Sequence, residues 1–223
     1  MNIDDHSFVA IWEPKDLVNI GNHMCSLKIK NRAPYRLHRR AEQQAETRLD
    51  IIRAAVQLHS TIGPAHTTVS AIAKSAGVQR LTVYRHFPNE EAIFAACSAY
   101  AFAENPPPDA EAWRSIAEPE ARFRFAVQEF YSYYRRNQQL LANIYRDAEI
   151  LPVIATVRRR EAMAKSAAVL TECWILTNAS SGKLVAAAIG HALDFRTWQS
   201  LAVKQQLSDA EAVEMMAAMV SRL

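Results

Sequence analysis

Glycine is scarce in this sequence, with five residues in 223. No glycine-rich phosphate loop occurs, and neither HExxH nor GxSxG is present. The usual nucleotide, metalloprotease and serine-hydrolase signatures are therefore missing. Cysteine is rarer still: Cys25, Cys97 and Cys173 lie far apart and no CxxC spacing exists. That usage fits reduced thiols in a reducing compartment. The longest apolar stretch, Leu184 to Ile189, is far shorter than the roughly 20 residues a membrane helix needs. The first twenty residues carry Asp4, Asp5, Glu13 and Asp16 and no apolar core, so no secretory signal is expected. No alternating strand pattern stands out, whereas Ala, Leu, Glu, Arg and Gln are common. The expectation is an all-α, cytoplasmic protein with no membrane association, cofactor or metal.

Half of the residues are hydrophobic, enough for one medium domain or for a small domain and a larger one. The net charge of +3 is unevenly spread. Residues 28–87 hold eleven Lys and Arg against Glu42, Glu46 and Asp50, whereas residues 101–223 hold fourteen of each sign. A local positive field is the footprint of a phosphate-backbone partner, and the neutral half implies a different task.

Within the basic segment, Thr67 to Phe87 reads TTVSAIAKSAGVQRLTVYRHF. Val69, Ile72 and Ala73 share one face of a helix expected over Thr68–Ala76. A threonine can cap its start, and Gly77 suits its end. A second short helix is expected over Gln79–His86, held by Val78, Val83 and Phe87. Its other side carries Gln79, Arg80, Leu81, Thr82, Tyr84, Arg85 and His86, cationic and polar without acids. The pattern is that of a helix-turn-helix whose second helix reads DNA; a plain corner between packed helices has the same pattern.

Residues 1–42 show no clear periodicity. They are read as an extension without ordered structure, as a start placed too early with Met24 the true one, or as a basic arm on DNA. Glu42–Thr61 has a helical apolar stripe stopped by Gly63 and Pro64, and Asn89 with two acids opens the next helix. The proline run Pro106–Pro108 marks a boundary, giving domains 43–104 and 105–223. Helices are then expected over Pro119–Arg146, Ala155–Leu176 and Lys183–Val203. Ser208 and Glu211 form a capping box before a last helix.

The aromatic, largely uncharged set Phe130, Tyr134, Tyr145, Trp174 and Phe195, with His191, is a candidate effector lining or a plain packed core. Leu184, Ala187, Ala188 and His191, with Met216, Met219 and Val220, are candidates for a two-fold interface of four helices; burial in the monomer is the alternative. Ser180-x-x-Lys183 matches a catalytic pattern only formally, at a loop–helix junction where capping explains the serines. His59 and His66 have no acid or thiol company for a metal.

From Arg48 to Tyr100 the chain resembles the N-terminal domain of the tetracycline-repressor (TetR/AcrR) family of bacterial transcriptional regulators. The residues that carry this are Ile51-Ile52-x-Ala54-Ala55, Thr68-Val69-x-x-Ile72-Ala73-x-x-Ala76-Gly77-Val78 and Thr82-Val83-Tyr84-x-His86-Phe87. The resemblance implies an N-terminal three-helix helix-turn-helix domain and a larger helical ligand-binding and dimerisation domain. It implies a homodimer that binds double-stranded DNA through the short second helix and has an effector pocket in its C-terminal domain. With the aromatic set above and the symmetry of a dimer, the expectation is a repressor on a palindromic operator, released by a small apolar or aromatic effector. Carried over, Gln79 and Arg80 fall at base-reading positions, and Leu81 where a thymine methyl can be met. Thr68, Thr82, Tyr84 and His86 fall at phosphate positions, with Arg48 and Arg85 as further anchors. Three departures stand out. Gln79 replaces the usual capping serine, Leu81 a small residue, and Glu90 the usual lysine opening the fourth helix. Two other readings remain: a DNA-bound protein controlled by a protein partner, and a helical enzyme or binding module that never meets DNA.

Overall fold

The computed structural model describes residues 33–149, 153–175 and 182–223, all helices and connections with no strand among them. The expectations for residues 1–32, for the Asn178–Ser181 loop and for the side chains of Cys25 and Cys173 lie outside what is described. The residues from Arg40 onward form one compact unit. That unit has two hydrophobic clusters, one drawn from residues 51–97 and one from residues 110–220.

The first cluster is built by four helices. Helix α1 runs Ala33–Thr61, starting earlier than the Glu42 expected from periodicity. Its amphipathic part begins near Leu49, and the polar turns before it carry no stripe to reveal them. Helices α2 (Val69–Ser75) and α3 (Arg80–His86) follow, then α4 (Glu90–Glu104). Ile51, Ala55, Ile72, Val83, Phe87 and Ile93 close the core between them. The Cys97 thiol is sealed in it, donates to the Ile52 carbonyl, and is pushed up to about 12 by burial, which makes it inert.

The second cluster uses α5 (Pro119–Arg136), α6 (Gln138–Arg146), α7 (Val153–Ile175), α8 (Gly182–Leu193), α9 (Phe195–Trp198) and α10 (Asp209–Val220). Two long helices expected from sequence are each broken. Asn137 leaves helical geometry at φ −112°, ψ 17°, and its amide donates to the Tyr133 carbonyl, so α5 and α6 are separate. Asp194 turns extended and caps α9 by accepting from the Arg196 N–H, which ends α8 at Leu193. The carbonyls freed at this helix end would be costly if left bare in a core. Tyr131 donates its hydroxyl to the Ala192 oxygen, and Tyr134 donates to that of Leu193. A π-helical turn, Gln199–Lys204, leads to α10, where the Ser208–Glu211 capping box forms as its sequence demands. Arg135 grips Asp209 through two hydrogen bonds of 2.7 Å, and Trp198 donates to the same carboxylate, tying α5 and α9 to the start of α10.

Candidate nucleic-acid interface

The corner between α2 and α3 follows from a few local signals. Thr68 sits extended and its hydroxyl oxygen accepts from the Ala71 N–H, capping α2. The hydroxyl keeps its own hydrogen for an external acceptor. Gly77 takes φ +67°, and the Val78 N–H returns to the Ala73 carbonyl at 2.9 Å, closing the helix end. Gln79 occupies the position before α3 in extended geometry, and its side chain makes no capping bond. Its side chain is exposed.

Helix α3 is seated by one side only. Val83 is fully buried and Phe87 nearly so. Gln79, Arg80, Tyr84 and Arg85 face solvent, and Leu81 is 70% exposed. Thr82 and His86 flank this face, half-buried. Arg80 is not loose: it donates to the Tyr84 hydroxyl at 3.1 Å and lies 5.5 Å above that ring. Tyr84 thus braces the arginine one turn before it, and its O–H remains free to donate. Arg48 of α1 stacks 4.7 Å over the Phe87 ring, which brings its guanidinium to the same end of the domain as α3's last turn. The structure gathers all these sequence-chosen residues around one corner. Arg53, basic but unassigned, is turned elsewhere, toward Asp50 and Tyr100. Asn89 accepts from the Ala92 N–H and starts α4 as expected, with Glu90 and Glu91 in the first turn.

The effector candidates gather only in part. Phe130, Tyr134, Tyr145 and Phe195 meet in one ring cluster: Tyr134 stands edge-on to Phe195 at 5.4 Å, and Tyr145 lies 4.9 Å from Phe195. Phe130, Tyr134 and Phe195 are buried, and the Tyr134 hydroxyl serves the end of α8. These three rings belong to the second hydrophobic cluster. Tyr145 and Trp174 are half-buried at the margin of the same core. His191 does not join them. It is exposed on α8, beside Thr197.

Among the interface candidates, Leu184, Ala187 and His191 lie on one open face of α8, with Ala188 at its edge. Met216 and Val220 correct the sequence reading: both point into the subunit's own core. The open face of α10 carries Met215 and Ala218, with Met219 half-buried beside them. A helical stripe shows that one side is apolar, and in α10 that side is the core.

Sequence reasoning missed a clamp on the end of α1. The Asn143 amide donates to the carbonyls of His59 and Ser60, at 3.1 and 2.7 Å. Arg146 donates to the Ile62 carbonyl, and Asp147 accepts the Ala65 N–H at 3.0 Å. The Arg146 guanidinium beside it, and then that N–H, hold the Asp147 carboxyl below the usual range. The only sequence signal was a polar trio, Asn143, Arg146 and Asp147, at helical spacing among apolar neighbours.

Residues 51–97 match the profile of the bacterial regulatory proteins, tetR family. This segment is a tetR-family domain. The tetR-family match coincides with the first hydrophobic cluster and contains the whole α2–α3 corner. Beyond it, likeness is one of fold. PfmR of Thermus thermophilus, a TetR-family transcriptional regulator, is 16% identical with TM-score 0.58, over 76% of this chain and 93% of its own. NalD of Pseudomonas aeruginosa, the secondary repressor of the MexAB-OprM multidrug efflux pump, is 18% identical with TM-score 0.54, over 81% and 96%. FadR of Bacillus subtilis, solved with stearoyl-CoA, is 19% identical with TM-score 0.52, over 77% and 96%. None of the curated proteins matches the sequence. Among the described residues, no helix is long and apolar enough to cross a membrane, and no group of His, Cys, Asp and Glu could hold a metal ion.

Proposed function

We propose that this protein is a cytoplasmic transcriptional regulator, a repressor that binds a palindromic operator as a homodimer and leaves it when a small apolar or aromatic effector binds. The observation that carries this is α3, sealed on one side by Val83 and Phe87 and open on the other with Gln79, a braced Arg80 and an exposed Leu81. Arg80 would read a guanine, Gln79 an adjacent base and Leu81 a thymine methyl, while Thr68, Thr82, Tyr84, Arg85, His86 and Arg48 would hold phosphates. Residues 43–104 would serve as the reader, and residues 105–223 as the dimerisation and effector domain. The open faces of α8 and α10, two helices in contact with each other, would meet their two-fold mates.

Control would run through the clamp. An effector entering at the Tyr145–Trp174 margin would act on α6, and α6 grips the end of α1 through Asn143, Arg146 and Asp147. Binding would shift the population between two spacings of the reading helices only by its unequal affinity for them. That NalD is a repressor, and that FadR was solved with an acyl thioester, supports the sign and the effector class. A second reading, control by a protein partner with no small ligand, would be favoured by a closed and filled second core.

Arg80→Ala tests the assignment. Affinity for the preferred duplex should fall roughly 10- to 100-fold and preference at one base position should relax, with little change for unrelated DNA. Fluorescence anisotropy on matched duplexes measures both. Unchanged affinity and unchanged preference would remove α3 from the role of reader.

A further inference from the structure

A pocket of about 300 Å³ opens within the tetR-family domain, away from α3's outward face. His59 of α1, Pro64, Ala65 and Thr67 of the following turn, Val69 and Ile72 of α2, and Ile93 and Phe94 of α4 line it. Glu90 and Glu91 complete the lining from the first turn of α4. Its size is at the lower end of small-molecule sites, and its walls are about equally polar and apolar, with Ile72, Ile93 and Phe94 on one part and His59, Glu90 and Glu91 on another.

The polar groups in it share one electrostatic preference. His59 is buried against Phe94, and burial pushes it down to about 4, so at neutral pH it is uncharged. Neither Glu90 nor Glu91 forms an ion pair among the described residues. Two carboxylates outweigh the roughly half positive charge at a helix N-terminus; Arg80, outside the lining, couples to Glu90 and offsets part of one of them, which leaves a net field that favours a cation. The Thr67 hydroxyl already donates to the Gly63 carbonyl, and the Ala65 N–H is held by Asp147, so these groups offer an anion little.

We infer that this pocket is a binding site for a compact organic cation, an ammonium group on an aromatic or branched apolar body. The body would lie on Ile72, Ile93 and Phe94, with the ammonium between Glu90 and Glu91. An occupant would touch α1, α2 and α4 together, and the same turn that the α6 clamp holds through Ala65. The site is separate from the ring cluster of the second core, and the binding claim does not depend on DNA recognition.

The test is titration calorimetry of the full chain with three probes that share one body: tryptamine (a cation), tryptophol (neutral) and indole-3-acetate (an anion). Tryptamine should bind saturably, and the other two roughly tenfold more weakly or not at all. Glu90→Gln with Glu91→Gln, both on exposed positions, should weaken tryptamine by a similar factor and bring it level with tryptophol. Ala65→Phe, an exposed position whose side chain would enter the pocket, should abolish binding while the thermal melt stays cooperative. Equal binding of the three probes, no binding of tryptamine, or tryptamine affinity untouched by the glutamine pair would overturn the assignment.

Discussion

Gly63→Ala should destabilise the protein by about 2–4 kcal/mol, lowering the melting temperature by roughly 5–15 °C. Gly63 ends α1 with φ 92° and ψ 159°, a region essentially reserved for glycine. Backbone strain alone would cost about 1–3 kcal/mol. A β-carbon there would also overlap the Arg146 guanidinium and stand 2.5 Å from an Asp147 carboxylate oxygen. Relief would require Asp147 to leave the Ala65 N–H, so the strain and the clamp are coupled. A double-mutant cycle separates them. In an Asp147→Ala background, the same glycine substitution should cost measurably less, because the contact it breaks is already gone. Additive losses would mean that the turn and α6 are independent, and an unchanged melt would mean that neither constraint is real.

Acid should weaken the protein in a window that belongs to His59. Its folded value is pushed down to about 4 by burial, against about 6.5 in the unfolded chain. The unfolded state therefore binds more protons between those values. Stability is fully present above pH 6.5 and falls as pH drops toward 4, by up to roughly 3 kcal/mol. Asp147 acts in a lower window, because a carboxyl held down by Arg146 loses its contribution only as pH falls below the usual carboxylate range. His59→Phe keeps a ring against Phe94 and leaves the backbone carbonyl that Asn143 grips. Denaturant midpoints for the two proteins should diverge between pH 6.5 and 4.5, with only the parent showing the slope. Parallel curves would mean that His59 is not buried uncharged.

The α2–α3 corner was legible because each of its decisions is local. Thr68 caps, Gly77 turns, and Val83 and Phe87 mark the inner side within a few residues of one another. The Ser208–Glu211 box was legible for the same reason. The breaks at Asn137 and Asp194 were not. Both residue types also occur inside helices, and at Asp194 the freed carbonyls at the end of α8 are taken up by the hydroxyls of Tyr131 and Tyr134, some sixty residues earlier. The aromatic set was found as a set, but whether rings line a cavity or fill one another is a property of packing. The stripe of α10 was read correctly as apolar and assigned to the wrong partner at Met216 and Val220. The clamp of Asn143, Arg146 and Asp147 was not legible because its partners lie some eighty residues earlier in the chain.

The central claim, that α3 reads sequence within a two-fold dimer, is tested most directly by selecting duplexes from a random pool at moderate salt with the full chain. The expected result is enrichment of an inverted repeat whose half-sites are centred about one helical turn apart, roughly 34–36 Å, or a multiple of it. A pool that stays random under conditions that suppress non-specific binding, or one that enriches a single unpaired site, would contradict it.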